Sequence, residues 1–192
     1  MPTKETLIQL FSNSQMTKEE LETVLTGYEK VSFQKGEYIL EEDKTAKEYY
    51  VVEQGFLRSF VIDYEGRDIT TEFHTAGELL IDVVSFFLQK PSKEYIQALT
   101  DVVLWKTKLE VFYQHFNSIE NYSDWGRNWM VNNLFQNKQR SLSLVKDSAK
   151  DRYLHLLKHR PEVFEYATLQ QIASYLGITN TSLSRIRREI KG

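Results

Sequence analysis

Apolar and polar residues recur with two different periods along the chain, and the changes of period separate helical from strand-forming parts. Helical spacing comes first, at 4–11 and 17–28, where Thr17 and Glu20 form a capping-box signature ahead of an apolar stripe. From Val31 onward, turn glycines separate short β-like runs, and residues 83–88 interrupt these as a short helix or loop. Short strands broken at such intervals are typical of an antiparallel barrel or roll. The glycines are at positions 36, 55, 66 and 77, and the runs cover 38–40, 49–52, 56–62, 68–73 and 95–106.

Helical spacing returns after the strands, at 108–116 and then from Asn121 to about Val145. One interpretation of the longer stretch is the core helix of a domain. Its apolar arc is wider than one small roll would cover, however, which favours a helix that also pairs with its twin in a homodimer. A further helix is predicted at 147–159, ending at Arg160-Pro161. The large apolar residues of the long stretch are Trp125, Trp129, Met130, Val131, Leu134, Phe135, Leu142 and Val145.

Two short helical patterns on either side of Gly177 predict a helix-turn-helix. The first has one apolar face, formed by Leu169, Ile172, Ala173 and Leu176, and Gly177 supplies the left-handed backbone that ends it. Thr179 can cap the second helix, whose apolar stripe is Leu183, Ile186 and Ile190. The opposite face carries residue types that bind base edges and phosphates, namely Asn180, Thr181, Ser184, Arg185 and Arg188. The pattern is typical of a DNA-reading unit, although an ordinary helical hairpin with a solvated basic helix also fits it.

The charge distribution favours the DNA interpretation. From Asp151 to Gly192 there are seven lysines and arginines and four acidic residues, a net charge of +3. The whole chain carries −3, so the first 150 residues carry −6. A basic end on an acidic body is expected where one segment faces phosphate.

Composition excludes several classes of protein. The 192 residues are 41% hydrophobic and 13% aromatic, which suffices for one large core or two small ones. The absence of cysteine excludes disulfides, thiol redox sensing, and cysteine-ligated zinc or iron–sulfur sites. There is no apolar run of transmembrane length and no signal-peptide pattern, so we expect a cytoplasmic protein without a membrane partner.

The order of these parts resembles the Crp/Fnr superfamily of bacterial transcription regulators over essentially the whole chain. Four segments match the family's turn glycines in order: 35–40, 49–58, 65–67 and 76–79. The resemblance implies an α+β fold with three parts. These are a jelly-roll-like sensor β-roll (a double-stranded β-helix) with flanking helices at 1–120, a dimerisation helix at 121–146, and a winged-helix-like helix-turn-helix domain at 147–192. Few residues follow the second helix and the segment 160–168 is short for a hairpin, so we expect a reduced or missing wing.

The sensor part departs from the members of that family that bind cyclic AMP. Those members use Gly-Glu-Leu and, further along, an arginine that neutralises the cyclic phosphate. The matching positions here are Ile81-Asp82-Val83 and Ser92, and Lys93 should point to the other face of a strand. Because a buried phosphate without a countercharge is costly, an effector pocket at Asp82, Val83, Ser92 and Lys93 should not bind cyclic AMP, and its effector stays unknown. His74 is the single histidine of the roll, so no haem or other cofactor is expected.

The same resemblance divides the DNA contacts between two helices. Thr168 and Gln170 open the first helix and would touch phosphate, and Thr179 would cap the recognition helix beside the backbone. Asn180, Thr181 and Arg185 match the base-reading positions, with Arg185 suited to a bidentate guanine contact. The implied partners are double-stranded DNA, a second copy of the chain and RNA polymerase.

Catalytic and metal patterns are weak. His155 and His159 are four residues apart, a spacing that can bind zinc, but the glutamate of the zinc motif is missing and a solvated helix face is the commoner case. Nothing resembles a nucleophile elbow or a phosphate-binding glycine loop, so we expect no enzyme. The sequence therefore predicts a homodimeric, sequence-specific DNA-binding transcription regulator. The alternative is a roll that senses a cyclic nucleotide or another small molecule and acts through protein partners.

Overall fold

Two antiparallel sheets of four strands each enclose an apolar interior in the computed structural model, which describes residues 4–191. The strands are β1 (Glu29–Phe33), β2 (Tyr38–Leu40), β3 (Glu48–Gln54), β4 (Leu57–Ile62), β5 (Asp68–His74), β6 (Leu79–Leu80), β7 (Tyr95–Ala98) and β8 (Val102–Lys108). Their order is β1-β8-β3-β6 in one sheet and β2-β7-β4-β5 in the other. The fold is the predicted α+β class with an antiparallel roll.

Helices precede, interrupt and follow these strands. They are α1 (Glu5–Leu10), α2 (Lys18–Thr26), α3 (Val83–Leu88), α4 (Leu109–Ser118), α5 (Glu120–Lys146), α6 (Ala149–His159), α7 (Val163–Tyr166), α8 (Leu169–Tyr175) and α9 (Asn180–Lys191). The capping box predicted for α2 is present, with Thr17 and Glu20 each binding the other's backbone amide. Within the described part of the chain, no helix combines the length and hydrophobicity needed to cross a bilayer.

Glycine turns join the strands of the roll. Gly36, Gly55, Gly66 and Gly77 all have positive φ, as their sequence positions predicted. At Gly55 no side chain fits, because a Cβ would lie 2.5 Å from the carbonyl oxygen of Asp101. The run predicted at 95–106 is two strands, β7 and β8, because the intervening residues turn back to bind the backbone of Phe56.

The roll is filled by apolar side chains from both sheets. Those that are buried between the sheets are Val52, Leu57, Leu80, Ile96, Ala98, Val102 and Leu104. A second cluster joins α1, α2, α4 and the first turns of α5 to the outside of the roll. In that cluster the Tyr49 hydroxyl lies 3.0 Å from the Tyr122 hydroxyl, and the Phe11 and Trp125 rings are 4.5 Å apart. Beyond Met130, most large apolar side chains of α5 are exposed.

The helix-turn-helix packs directly on the roll. Phe56 and Phe73 of the roll belong to the same apolar cluster as Leu156, Ile172 and Leu183 of the C-terminal helices. The chain division at 120 and 146 stays a prediction, but the first and last of the three parts share one hydrophobic core.

No wing hairpin occurs in the part of the chain that the structure describes. Residues 147–191 contain no strand, and the short helix α7 occupies the segment before the helix-turn-helix. Val163 of α7 is fully buried, so this turn of helix contributes to the C-terminal core.

Candidate nucleic-acid interface

The first helix of the helix-turn-helix, α8, begins with a reciprocal cap. The Gln171 amide donates to Thr168 Oγ1 at 3.2 Å, and the Thr168 amide donates to Gln171 Oε1 at 2.8 Å. Ile172 and Ala173 are buried in the C-terminal core. Leu169, which the sequence placed on the same buried face, is 44% exposed because it is the first residue of α8 and lies outside the core cluster.

The turn between the two helices follows the sequence signals closely. Gly177 has a φ of +66°, and the Ile178 amide donates to the Ala173 carbonyl at 3.0 Å, which closes the end of α8. Thr179 then caps α9, since its Oγ1 accepts from the Ser182 amide at 3.2 Å. These local contacts fix the direction in which α9 leaves the turn.

The second helix, α9, separates buried apolar side chains from exposed polar ones. Leu183 and Ile186 are buried, and Ile190 is half-buried. Every residue assigned to DNA from the sequence is exposed: Thr168, Gln170, Thr179, Asn180, Thr181, Ser184, Arg185 and Arg188. The structure therefore exposes these side chains along α9 and at the start of α8, as a contact with a phosphate backbone requires.

Two arginines that sequence reasoning missed hold the C-terminal end of α8. Arg152 of α6 donates from Nε and Nη2 to the Leu176 carbonyl at 3.1 and 2.9 Å. Arg140 of α5 donates to the Tyr175 carbonyl at 2.9 Å and stacks 3.8 Å from the centre of the Tyr175 ring. Cations at a helix C-terminus are stabilising, because they bind its free carbonyls and lie at the negative end of the helix dipole. The long helix is thereby connected to the helix-turn-helix through Arg140.

The positions that match the cyclic-phosphate cassette are bonded to one another. Ser92 is 1% exposed and donates to Asp82 Oδ2 at 2.7 Å, and Asp82 Oδ1 accepts from the Ser85 amide at 2.9 Å. Arg58, a buried cation of the roll, is held by both carboxylate oxygens of Asp68 at 2.6 Å. The cassette position therefore holds a carboxylate with its partners in place of a phosphate countercharge.

The four residues proposed for an effector pocket lie in different surroundings. A cavity of about 360 Å³ between β2, β3 and β6 is lined by Asp82 but not by Val83, Ser92 or Lys93. Lys93 is exposed, with its ammonium 3.6 Å from Asp43 on the surface. Lys93 lies before β7, so the alternation along a strand that the sequence argument used does not apply to it, although its side chain faces solvent.

A larger cleft of about 940 Å³ lies where the roll, α5 and the C-terminal helices meet. Its cations are Arg140, Arg152 and Arg160, all of which bind backbone carbonyls or carboxylates. His155 and His159 line the same cleft, and no group of three metal-binding side chains occurs within residues 4–191.

Comparison with known proteins agrees with this architecture. The family described as "Cyclic nucleotide-binding domain" matches residues 30–118, which cover the roll except for the first residue of β1, and all of α4. The chain is 27% identical over 169 residues to the fumarate and nitrate reduction regulatory protein of Yersinia pestis. That match covers 82% of this chain and 66% of the relative, so the chain spans slightly less than two thirds of the relative's length.

Solved structures show the same fold. FixK2 from Bradyrhizobium japonicum superposes with a TM-score of 0.74 at 20% identity, over 85% of this chain and 84% of that one. The c-di-GMP-responsive global regulator CLP from Xanthomonas campestris superposes with a TM-score of 0.71 at 15% identity, over 91% and 92%. The catabolite activator protein of Thermus thermophilus gives 0.61 at 16% identity, over 95% and 86%. These three matches cover between 85% and 95% of this chain.

Proposed function

Because this chain belongs to the Crp/Fnr superfamily, we propose that it is a sequence-specific DNA-binding transcription regulator that acts as a homodimer. The exposed polar and basic face of α9 carries this proposal. Leu183 and Ile186 fix that helix to the core, so Asn180, Arg185 and Arg188 point away from the protein. A helix with this division between its faces can lie in the major groove of DNA.

Each side chain has a role that follows from its place. Arg185 lies in the second turn of α9, where a guanidinium can bind guanine O6 and N7. Arg188 is one turn further along and is suited to phosphate. Thr168 and Gln170 are exposed at the start of α8, where their side chains are suited to contact phosphate. Contacts to both the bases and the backbone are needed for a fixed register on DNA.

The exposed apolar side chains of α5 support a homodimer. Val131, Leu134 and Val145 are 65%, 71% and 84% exposed, and a single chain gains nothing from leaving them in water. A second copy of α5 would cover them and would place two recognition helices for two half-sites. RNA polymerase is the further partner that we expect of such a regulator.

We do not expect the roll to bind cyclic AMP. The cyclic phosphate would have to replace the Ser92–Asp82 hydrogen bond and would then lie beside a carboxylate. Burying two anions without a cation between them is unfavourable.

The test is DNA binding by the intact chain. Footprinting on fragments from upstream of its own gene and the neighbouring genes should reveal one protected site with two-fold symmetry. Light scattering should give about twice the monomer mass of 22.7 kDa. A protein that binds no fragment better than random DNA, or that stays monomeric at micromolar concentration, would support the alternative of a sensor roll acting on protein partners.

A further inference from the structure

The exposed apolar stripe of α5 has a charged residue at its centre. Val131, Leu134, Phe135, Leu142 and Val145 are all more than a third exposed. At 100° per residue these positions fall within one third of the helix circumference. Lys138 lies at the middle of that arc, between Leu134 and Leu142, and its side chain is exposed.

The spacing of this stripe identifies its occupant as a second α5. Val131, Lys138 and Val145 are separated by seven residues, and so are Phe135 and Leu142. A seven-residue repeat keeps one seam facing a partner helix, and β-branched residues in the first heptad position favour two strands. Lys138 therefore occupies a seam position with a valine one heptad before it and another one heptad after it.

No carboxylate on α5 lies near Lys138. The acidic residues closest along the chain are Asp124 and Asp147, about 21 and 13 Å away by the helical rise, which exceeds the screening length at physiological ionic strength. Asp124 is also paired with Arg127. Arg140 is only two residues away, so it projects from a different face, where it binds Tyr175. Among residues 4–191, no carboxylate is within 4.0 Å of the Lys138 ammonium.

Resting on the proposed homodimer, we propose that the two Lys138 side chains form a binding site for a small oxyanion on the dimer axis. In a parallel dimer the two ammonium groups repel each other across the seam, where Leu134 supplies an apolar neighbour, and neither helix supplies a countercharge. A phosphate or sulfate group between them accepts hydrogen bonds from both and cancels the repulsion. The same lysine pair specifies an in-register parallel dimer, at a cost in stability that the anion removes.

The test measures dimer dissociation by sedimentation of the fluorescently labelled full chain. The parent, Lys138→Leu and Lys150→Leu are compared at constant ionic strength, with low-millimolar phosphate or sulfate replacing part of the chloride. Lys150 is an exposed lysine of α6 outside the stripe, so its variant loses the same charge elsewhere. In chloride, Lys138→Leu should dimerise about tenfold more tightly than the parent, or better, since like charges across an interface cost at least that much.

The oxyanion arms distinguish the site from general salt effects. Phosphate and sulfate should both lower the dimer dissociation constants of the parent and of Lys150→Leu several-fold. They should leave the dissociation constant of Lys138→Leu unchanged. Equal tightening of all three proteins would show that the anions act by exclusion from the surface, which would overturn the site. A parent dimer whose dissociation constant does not change with either oxyanion would also overturn the proposed site. Monomers in all three proteins would instead refute the homodimer on which the site rests.

Discussion

Phe73 of the roll packs against Tyr175 of the helix-turn-helix, with their ring centroids 5.0 Å apart. The contact is reinforced on both sides, because Phe56 stacks on Phe73 at 5.6 Å and Arg140 stacks on Tyr175 at 3.8 Å. The backbone amide of Thr70 also donates to Ser174 Oγ at 3.1 Å. The position of α8, and with it that of the helix-turn-helix, therefore depends on its contacts with the roll.

Tyr175→Ala should lower the free energy of unfolding by about 2 kcal/mol, because it removes the aromatic contacts to Phe73 and Arg140. It should also separate the unfolding of the C-terminal helices from that of the roll, since the shared core is weakened at its boundary. Urea denaturation followed by circular dichroism and by tryptophan fluorescence measures both effects. The fluorescence reports mainly on the roll side, because the three tryptophans are at 105, 125 and 129.

Tyr64 supplies a matched control for that variant. It lies in the β4–β5 turn and is 92% exposed, so Tyr64→Ala makes the same chemical change without losing a packed contact. Its unfolding midpoint should stay within the error of the parent's. If Tyr175→Ala and Tyr64→Ala unfold alike, in one coincident transition, the proposed coupling through Tyr175 is refuted.

Cyclic AMP should produce no binding heat in a calorimetric titration at micromolar protein. The reason is that Ser92 stands at the position of the phosphate countercharge and donates a hydrogen bond to Asp82 Oδ2 at 2.7 Å. Ser92→Ala should not create binding, although it should destabilise the roll by about 1–3 kcal/mol because a buried carboxylate loses its hydrogen bond. A dissociation constant in the micromolar range for the parent would show that another cation neutralises the phosphate.

His74 should make the fold sensitive to acid. Burial lowers the pKa of His74 from 6.5 to about 4, and its Nε2 lies 2.9 Å from Ser59 Oγ. The unfolded chain takes up a proton on this residue below pH 6.5, whereas the folded chain does so only near pH 4. The contribution of His74 to the free energy of unfolding is therefore fully present above pH 6.5. It is lost as the pH falls toward 4, by about 1.4 kcal/mol per pH unit at most.

The measurement for His74 is the unfolding free energy of the parent and of His74→Gln between pH 7 and pH 4. The amide of glutamine can still bind Ser59 but takes up no proton in this range. The curve of the variant should be flatter than that of the parent, whatever its stability at pH 7. Parallel curves would mean that other groups cause the acid sensitivity.

Features set by short-range chemistry were predictable from the sequence. The caps at Thr17, Thr168 and Thr179 and the left-handed turn at Gly177 each need only residues within a few positions of one another. The turn glycines of the roll were recognisable for the same reason. Local hydrogen bonds and backbone conformation leave direct marks in the sequence.

Features set by tertiary packing were not predictable from one sequence. Arg140 reads as a polar residue of a long helix, and only the docking of α8 brings the Tyr175 carbonyl within 2.9 Å of it. Leu169 has the right helical spacing for burial, yet the core ends before it. The pairing of Ser92 with Asp82 also depends on how two distant segments meet, so the departure from the family's cassette was visible but its replacement was not.

Arg185→Ala should weaken binding to the operator by about 1–3 kcal/mol per half-site and change binding to random DNA little, because one bidentate base contact is lost. Arg188→Ala, the matched control, should weaken both DNAs similarly and flatten the salt dependence, as expected for a phosphate contact. Fluorescence anisotropy on both DNAs over a range of salt concentrations measures this difference. Because the Arg185 side chain is exposed, the melting temperature of the Arg185→Ala variant should match that of the parent. Undiminished operator binding by Arg185→Ala would remove the base-reading role, and a large drop in melting temperature would assign Arg185 to the core instead.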